Sequence, residues 1–399
     1  MSNTQTKNVP ELRFPGFEGE YSLDIFGNLA TNKSEKFNPQ NENASIDIEL
    51  DCIEQNAGRL IKIYNSKEFS SQKNKFNPQN VLYGKLRPYL NKYYFTKKSG
   101  VCSSEIWVLK STKEDKLLNL FLYYFIQTKR YSDVASKSAG SKMPRADWGL
   151  IENIRVYFPE LCEQQKIGQF FSKLDRQIEL EEQKLELLQQ QKKGYMQKIF
   201  SQELRFKDEN GNDYPDWEEK QLGELSQIVR GASPRPIKDP KWFNKESDIG
   251  WLRISDVTNQ NGKIYHLEQK LSIEGQEKTR VLVTTHLLLS IAASIGKPVM
   301  NFVKTGVHDG FLNPKFNLFF MYYWLEYFKD KWSKYGQPGS QVNLNTEIVK
   351  SQTLNMPSNH EQEKVGQFFN RNEKLIELQQ EKIMYLKRRK QVLLQKMFI

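Results

Sequence analysis

The sequence is poor in the residues from which catalytic and metal sites are most often built. Only four histidines (His266, His286, His308 and His360) occur in 399 residues, and none stands in an HExxH or another ligand spacing. Three cysteines (Cys52, Cys102 and Cys162) lie far apart, odd in number and without a CxxC pair. That excludes a disulfide framework or a zinc ribbon and points to reduced, structural thiols in a cytosolic protein. No GxxxxGK[ST] loop is present to cradle a nucleotide phosphate. Long hydrophobic runs are missing too. The longest, Phe316–Phe328, is broken by Asn317 and Glu326 and is too short to cross a bilayer. The opening MSNTQTKNVPELRF has no basic-then-apolar leader pattern. With 38% hydrophobic residues and a mean hydropathy of −0.70, the chain reads as soluble, cytoplasmic and without a membrane partner.

Fragments of catalytic motifs fail on context. FPGFEG (Phe14–Gly19) looks like a methyltransferase glycine loop, but it follows no strand, opens no helix and carries a proline. NPQN, at Asn38 and Asn77, lacks the aromatic that stacks on an extruded base in amino-methyltransferases. In PDWEEK (Pro215–Lys220), Asp216 and Glu218 are too close in sequence to reach one metal from separate strands. His308-Asp309 reads as a loop pair satisfied by its own backbone. No catalytic or metal constellation emerges.

What is abundant is positive charge and repetition. Lysine and arginine outnumber aspartate and glutamate by 59 to 48, a net charge of +11 that favours a polyanionic partner, nucleic acid first. EQQKIGQFF (Glu163–Phe171) returns as EQEKVGQFF (Glu361–Phe369), 198 residues later. The match runs without gaps from Glu163–Phe200 to Glu361–Phe398, each copy preceded by a proline, Pro159 or Pro357. A fainter repeat lies upstream: Glu11-Leu12-Arg13-Phe14 returns as Glu203-Leu204-Arg205-Phe206, and Tyr21 with Phe26-Gly27-Asn28-Leu29 as Trp217 with Leu222-Gly223-Glu224-Leu225. Between these, about 30–150 and 226–350, the two halves share little. The chain thus divides into tandem units, each a variable block followed by a shared helix.

The shared segments are rich in Glu, Gln, Lys and Leu and free of proline, which predicts long helices. Apolar residues at Ile167, Phe171, Leu174, Ile178, Leu185, Leu188, Tyr195 and Ile199 alternate spacings of four and three, with Glu181 and Lys192 filling gaps. Val365, Phe369, Ile376, Ile383, Leu386, Leu393 and Met397 repeat the pattern. This is a coiled-coil seam. Phe171, Ile178, Leu185 and Leu188 of the first helix and Phe369, Ile376, Ile383 and Leu386 of the second are expected to form the seam of an antiparallel coil roughly 55 Å long. Gly168 and Gly366 are expected to allow close packing near the first turns. A second stripe, Leu180 and Leu187 with Leu378, Tyr385 and Val392, has two readings: a wider core-facing surface, or a docking face for another subunit.

The variable blocks read as mixed α/β. VLYGKL, NKYYF and IWVLK are strand-like in the first, followed by the helix LLNLFLYYFIQ. WLRIS and LLLSIAAS are strand-like in the second, followed by the helix FFMYYWLEYF. YGKLRPYLNKYY interleaves Lys85, Arg87 and Lys92 with tyrosines, Tyr89 among them, a pattern suited to phosphate, sugar and base edges. AGSKMPR supplies Ser141, Lys142 and Arg145 on a small-residue loop. RGASPRPIK supplies Ser233, Arg235 and Lys238, and WLRIS adds Arg253. PGSQVNL places Ser340 and Gln341 where the first block has AGSKMPR. These are the candidate DNA contacts.

The order of YGKLRPYL, Trp217 with LGEL, the GASPRP loop, and proline followed by EQxK(I/V)GQFF twice resembles the specificity subunits of type I restriction–modification enzymes over essentially the whole chain. Tyr21 stands where the family usually has tryptophan, and FGNL matches LGEL loosely. The resemblance implies an α+β fold with an internal pseudo-two-fold repeat. Target-recognition domains would span 1–158 and 203–356, and coiled-coil helices 159–202 and 357–399. It implies a non-catalytic subunit whose domains each read half of a split, asymmetric site in double-stranded DNA. The helices would dock two methyltransferase (M) subunits, joined by motor-nuclease (R) subunits. The complex would use S-adenosylmethionine, ATP and Mg, none of them bound by this chain. The residues also admit a stand-alone DNA-binding regulator, a coiled-coil interaction protein with no nucleic-acid role, or an enzyme with an unrecognised site.

Overall fold

The computed structural model describes residues 8–44, 46–68, 70–137, 142–290, 295–307, 311–314, 316–335 and 344–399. Two helices dominate, Leu161–Phe200 and Asn359–Met397. The chain forms two compact units, residues 1–182 with 381–399, and residues 183–380. Each long helix contributes about half its length to each unit. Among the described residues no helix is long and apolar enough to cross a membrane.

In the first unit an antiparallel ribbon, Ser22–Ile25 with Arg155–Phe158, brings the chain into and out of the globular block. Inside, one antiparallel sheet runs in the order Ala30–Thr31, Ile106–Ser111, Val81–Gly84, Tyr93–Phe95. A second runs Lys36–Phe37, Lys73–Phe76, Gly100–Cys102, Asp47–Ile48, its last pair parallel. Leu117 and Phe121–Ile126, around the helix Asn119–Phe125, are buried against the first sheet and the long helices.

The second unit repeats this plan. Its ribbon is Glu218–Gln221 with Thr353–Met356. Its main sheet runs Ser226–Val229, Phe311–Pro314, Leu287–Leu289, Pro298–Asn301, with Lys263–Ile264 added at the edge. Its second sheet is Gly250–Trp251, Thr305–Val307, Arg280–Leu282, again with one parallel pair. The apolar helix Leu318–Phe328 takes the place of Asn119–Phe125. Blocks with little sequence in common therefore share most of their strand order, the first having an extra edge strand in its smaller sheet and the second in its main one.

WLRIS is not a strand throughout. Pairing ends at Trp251, and a helix runs Ile254–Asn259. The Asp256 carboxylate accepts the Arg253 backbone N–H at 3.0 Å, satisfying a donor that a helix start leaves free. LLLSIAAS gives the strand Leu287–Leu289, and its remainder from 291 to 294 lies outside the described residues, as does His308-Asp309.

The helix seam follows the heptad for most of its length. Phe171, Ile178, Phe369, Ile383 and Leu386 are buried, and Leu185, Leu188 and Ile376 are half-buried. In the last turns the pattern moves by one residue: Tyr195 is exposed while Met196 is buried, and Leu394 is fully buried beside a half-buried Leu393. A straight helix drifts about 20° per heptad from a 3.5-residue repeat. These turns follow that drift because they pack into globular cores, Met196 and Phe200 in one unit and Leu394 and Phe398 in the other. The second stripe is not core-facing. Leu180, Leu378 and Tyr385 are 48%, 50% and 63% exposed, which removes the packing reading.

Candidate nucleic-acid interface

The repeated EQ dipeptide holds each block to its helix. In the first unit Glu163, 1% exposed, accepts the Arg13 guanidinium at 2.7 and 2.9 Å and the Tyr21 hydroxyl at 3.2 Å. In the second, Glu361 accepts Arg205 at 2.9 Å and the Trp217 indole N–H at 2.9 Å. Tryptophan and tyrosine at this position do the same work, each donating one hydrogen bond from an apolar body. The next residue caps the apolar helix. Gln164 Oε1 accepts the Leu118 N–H at 2.9 Å while its amide donates to the Lys116 and Pro159 carbonyls. Gln362 accepts the Asn317 N–H at 3.0 Å and donates to Pro357.

A second set of pairs binds helix to helix within each unit. Lys390 meets Asp175 at 2.6 Å, and Asp175 also accepts the Tyr124 hydroxyl at 3.0 Å. The equivalent pair has exchanged helices: Lys192 meets Glu373 at 3.5 Å, and Glu373 accepts the Tyr323 hydroxyl at 2.6 Å. Lys263 adds an ion pair to Glu373 at 2.8 Å. Although burial opposes its ionisation, the Lys192 and Lys263 ammonium groups hold the Glu373 carboxyl below the usual glutamate range. Lys382 with Glu181 and Lys387 with Glu182 extend the antiparallel contact in the first unit. Sequence periodicity marks Glu181 and Lys192 as polar gaps in the seam; the geometry makes them cross-helix ion pairs.

The cationic loops are set on these frames. In the first unit the two candidate segments converge. The Arg87 N–H donates to the Pro144 carbonyl at 2.7 Å, the Ala146 N–H to Lys85 at 2.8 Å, and Leu86 bridges Arg145. Lys85, Arg87, Tyr89, Lys142 and Arg145 thus share one surface, while Ser141 lies outside the described residues. Their side chains fall into two groups. Lys92 donates its ammonium to the Leu50 carbonyl at 2.6 Å, and Arg145 grips Glu105 through two bonds of 3.0 and 3.1 Å. Lys85, Arg87 and Lys142 make no side-chain hydrogen bond or ion pair among the described residues, and Arg87 and Lys142 are exposed.

In the second unit Arg253 is clamped on Asp256 at 2.9 and 3.0 Å. Burial pushes the Asp256 carboxyl up, but the Arg253 guanidinium outweighs it and leaves the group below the usual aspartate range. Arg235 and Lys238 are exposed without side-chain partners among the described residues, and Ser233 is half-buried beside them. Ser340 and Gln341 lie outside the described residues. Cys52 and Cys102 are buried, and burial pushes the Cys52 thiol up to about 11, so it stays protonated at neutral pH.

Two α/β blocks thus present exposed cationic loops, each block bracketed to antiparallel helix segments, an arrangement that suits a polyanionic partner. The family model for the type I restriction modification DNA specificity domain matches twice, over residues 23–190 and 214–388. The chain belongs to that family and is a type I restriction–modification specificity subunit. It is 26% identical over 312 residues to the type I restriction enzyme MjaVIII specificity subunit of Methanocaldococcus jannaschii, covering 71% of this chain and 70% of the relative. Among solved structures it is similar to the type I restriction–modification S subunit from M. genitalium, with a TM-score of 0.60 and 14% identity over 98% of this chain and 99% of that one. It is equally similar to a chain solved in work on the complex assembly and conformational transition of the type I R-M system, with a TM-score of 0.60 and 17% identity over 94% and 97%.

Proposed function

We propose that this chain reads a split, asymmetric DNA sequence, one half with each globular block, and carries that choice to methyltransferase and motor-nuclease subunits. The observation that supports this most directly is a contrast. The brackets Arg13–Glu163–Tyr21 and Arg205–Glu361–Trp217 are repeated position for position, while the cationic loops between them differ in sequence and in place. A constant frame bearing variable cationic loops suits a protein that keeps its geometry and changes its text. The exposed stripe supports the docking of partners. Leu180 and Leu378 are equivalent positions, one in each unit, and both are about half exposed, so the same face is offered twice. That suits two copies of one methyltransferase subunit. S-adenosylmethionine, ATP and Mg would then belong to the partners, and the whole complex would work in the cytoplasm.

The test is a block exchange. Replacing residues 207–350 with the corresponding block of another specificity subunit, in a host expressing the partners, should change one half of the methylated sequence and leave the other intact. Methylome sequencing reads the result. A change in both halves would refute the assignment of one half-site to each block.

A further inference from the structure

Two exposed side chains are not explained by packing or by solubility. In the first unit Tyr89 is 53% exposed at the tip of the turn Pro88–Leu90. Arg87 and Asn91, which flank that turn, both adopt left-handed backbone conformations, with φ of 51° and 47°. Arg87 is not glycine and carries about 1 kcal/mol of local strain, while Asn91 is of the residue type that adopts this region most readily after glycine. The strain is held by the surroundings. Arg87 donates its N–H to Pro144, Asn91 donates to Pro88 and accepts from the Asn56 N–H at 3.1 Å, and the Pro88 ring is buried. The neighbouring loop adds Met143, 48% exposed. A strained, fully tied turn thus projects a large aromatic side chain into water beside the exposed Arg87 guanidinium.

The second unit carries the same local order on an unrelated loop. Arg235, Pro236 and Ile237 are all exposed, Ile237 at 43%, with Lys238 following. The Pro236 carbonyl accepts the Trp242 indole N–H at 2.9 Å and the Asp239 N–H at 3.1 Å, which fixes this tip as well. In both units a guanidinium without a protein partner among the described residues stands two residues before a large exposed apolar group. A cation next to an apolar point, on a rigid turn, matches a polyanion with stacked bases behind its charged edge.

Resting on the DNA-reading function above, we propose that Tyr89, supported by Met143, and Ile237 are wedges. Each enters a groove and partly unstacks one base step, while Arg87 or Arg235 holds the adjacent phosphate. The role is positioning and local distortion of the duplex within each half-site, and it is carried by apolar contact rather than hydrogen bonding. Unstacking costs free energy that a flexible loop would also have to add to its own ordering; a turn already fixed at φ 51° and 47° avoids that second cost.

The experiment uses the full chain and a duplex bearing the sequence found methylated in the host, with 2-aminopurine placed in turn at each step of each half-site. With the unaltered chain, fluorescence should rise several-fold at one step per half-site. Tyr89→Ala should cancel the rise in one half-site only, Ile237→Ala in the other only, and Tyr89→Phe should retain it. Affinity should fall about tenfold for Tyr89→Ala, the scale of one lost base contact. Its dependence on salt should stay the same, whereas Arg87→Ala should lower the salt slope by about one. Because Tyr89 is exposed, thermal melting of the variant should match that of the parent. If the chain binds the duplex but no step brightens, or Tyr89→Ala leaves the signal in place, the wedge is wrong and the reading function stands. If the unaltered chain does not bind the methylated sequence in preference to a scrambled one, both fall.

Discussion

Glu373 shows how much a single carboxylate can hold in place. It is 6% exposed and faces Lys192 from the other helix, Lys263 from the edge strand of its block and the hydroxyl of Tyr323. Its pKa in the folded chain lies below that of an unfolded glutamate. A depressed carboxyl contributes stability that is fully present above the unfolded value, about 4.3, and is lost as pH falls through the folded value. The Glu373 contribution should therefore be constant near neutrality and be lost on acidification below about pH 4.3. Glu373→Gln keeps an acceptor for Tyr323 but leaves Lys263 buried beside no charge. It should cost about 3 kcal/mol at pH 7, and the difference from the parent should shrink as pH falls. Urea unfolding followed by tryptophan fluorescence at pH 7 and at about pH 3, well inside the window where the charge is being lost, measures both. An equal gap at the two pH values would mean that the loss comes from packing rather than charge.

At the scale of elements, the two helix starts look identical in sequence but should respond differently to the same change. A Cβ on Gly168 would stand 2.8 Å from both Cγ and Cδ2 of Leu120, a half-buried side chain that can turn aside about its first torsion without moving backbone. On Gly366 it would meet Asn317 Oδ1 at 2.9 Å and the Phe320 backbone nitrogen at 3.0 Å, the cap of the helix Leu318–Phe328. Glycine to alanine within a helix gains about 1 kcal/mol from propensity, while overpacking against fixed atoms costs about 1–3 kcal/mol. Gly168→Ala should thus be close to neutral and Gly366→Ala destabilising by about 1–2 kcal/mol, as read from denaturant midpoints. Periodicity makes the helices, their seam and the strands within VLYGKL and IWVLK legible in the sequence, because each is a local pattern. The brackets are not. Glu163 and Gln164 look like solvated residues of a first turn, and their partners at Arg13 and Leu118 are 150 and 46 residues away. The cationic loops are legible only as a set. Nothing local separates Arg145 and Arg253, whose forks are filled by Glu105 and Asp256, from Arg87 and Arg235, whose forks are free among the described residues.

For the whole molecule, both helices cross from one compact unit to the other at equivalent places, after Glu182 and after Gln380. If the helices set the distance between the two half-sites, lengthening both at these points should lengthen the spacer and nothing else. Seven residues are the natural increment, since one heptad returns every side chain to its seam position and leaves the ion pairs Asp175–Lys390 and Lys192–Glu373 within their own units. A heptad adds about 10.5 Å of helix, close to three base pairs at about 3.4 Å each. Methylome sequencing of a host carrying the doubly extended chain should show the original half-sites separated by about three more base pairs. Insertion into one helix alone should instead put the seam out of register and abolish methylation, since the pairs on either side could no longer form together. An unchanged spacer in the doubly extended chain would mean that the separation is set by the partner subunits, and the helices would then be a docking platform rather than a ruler.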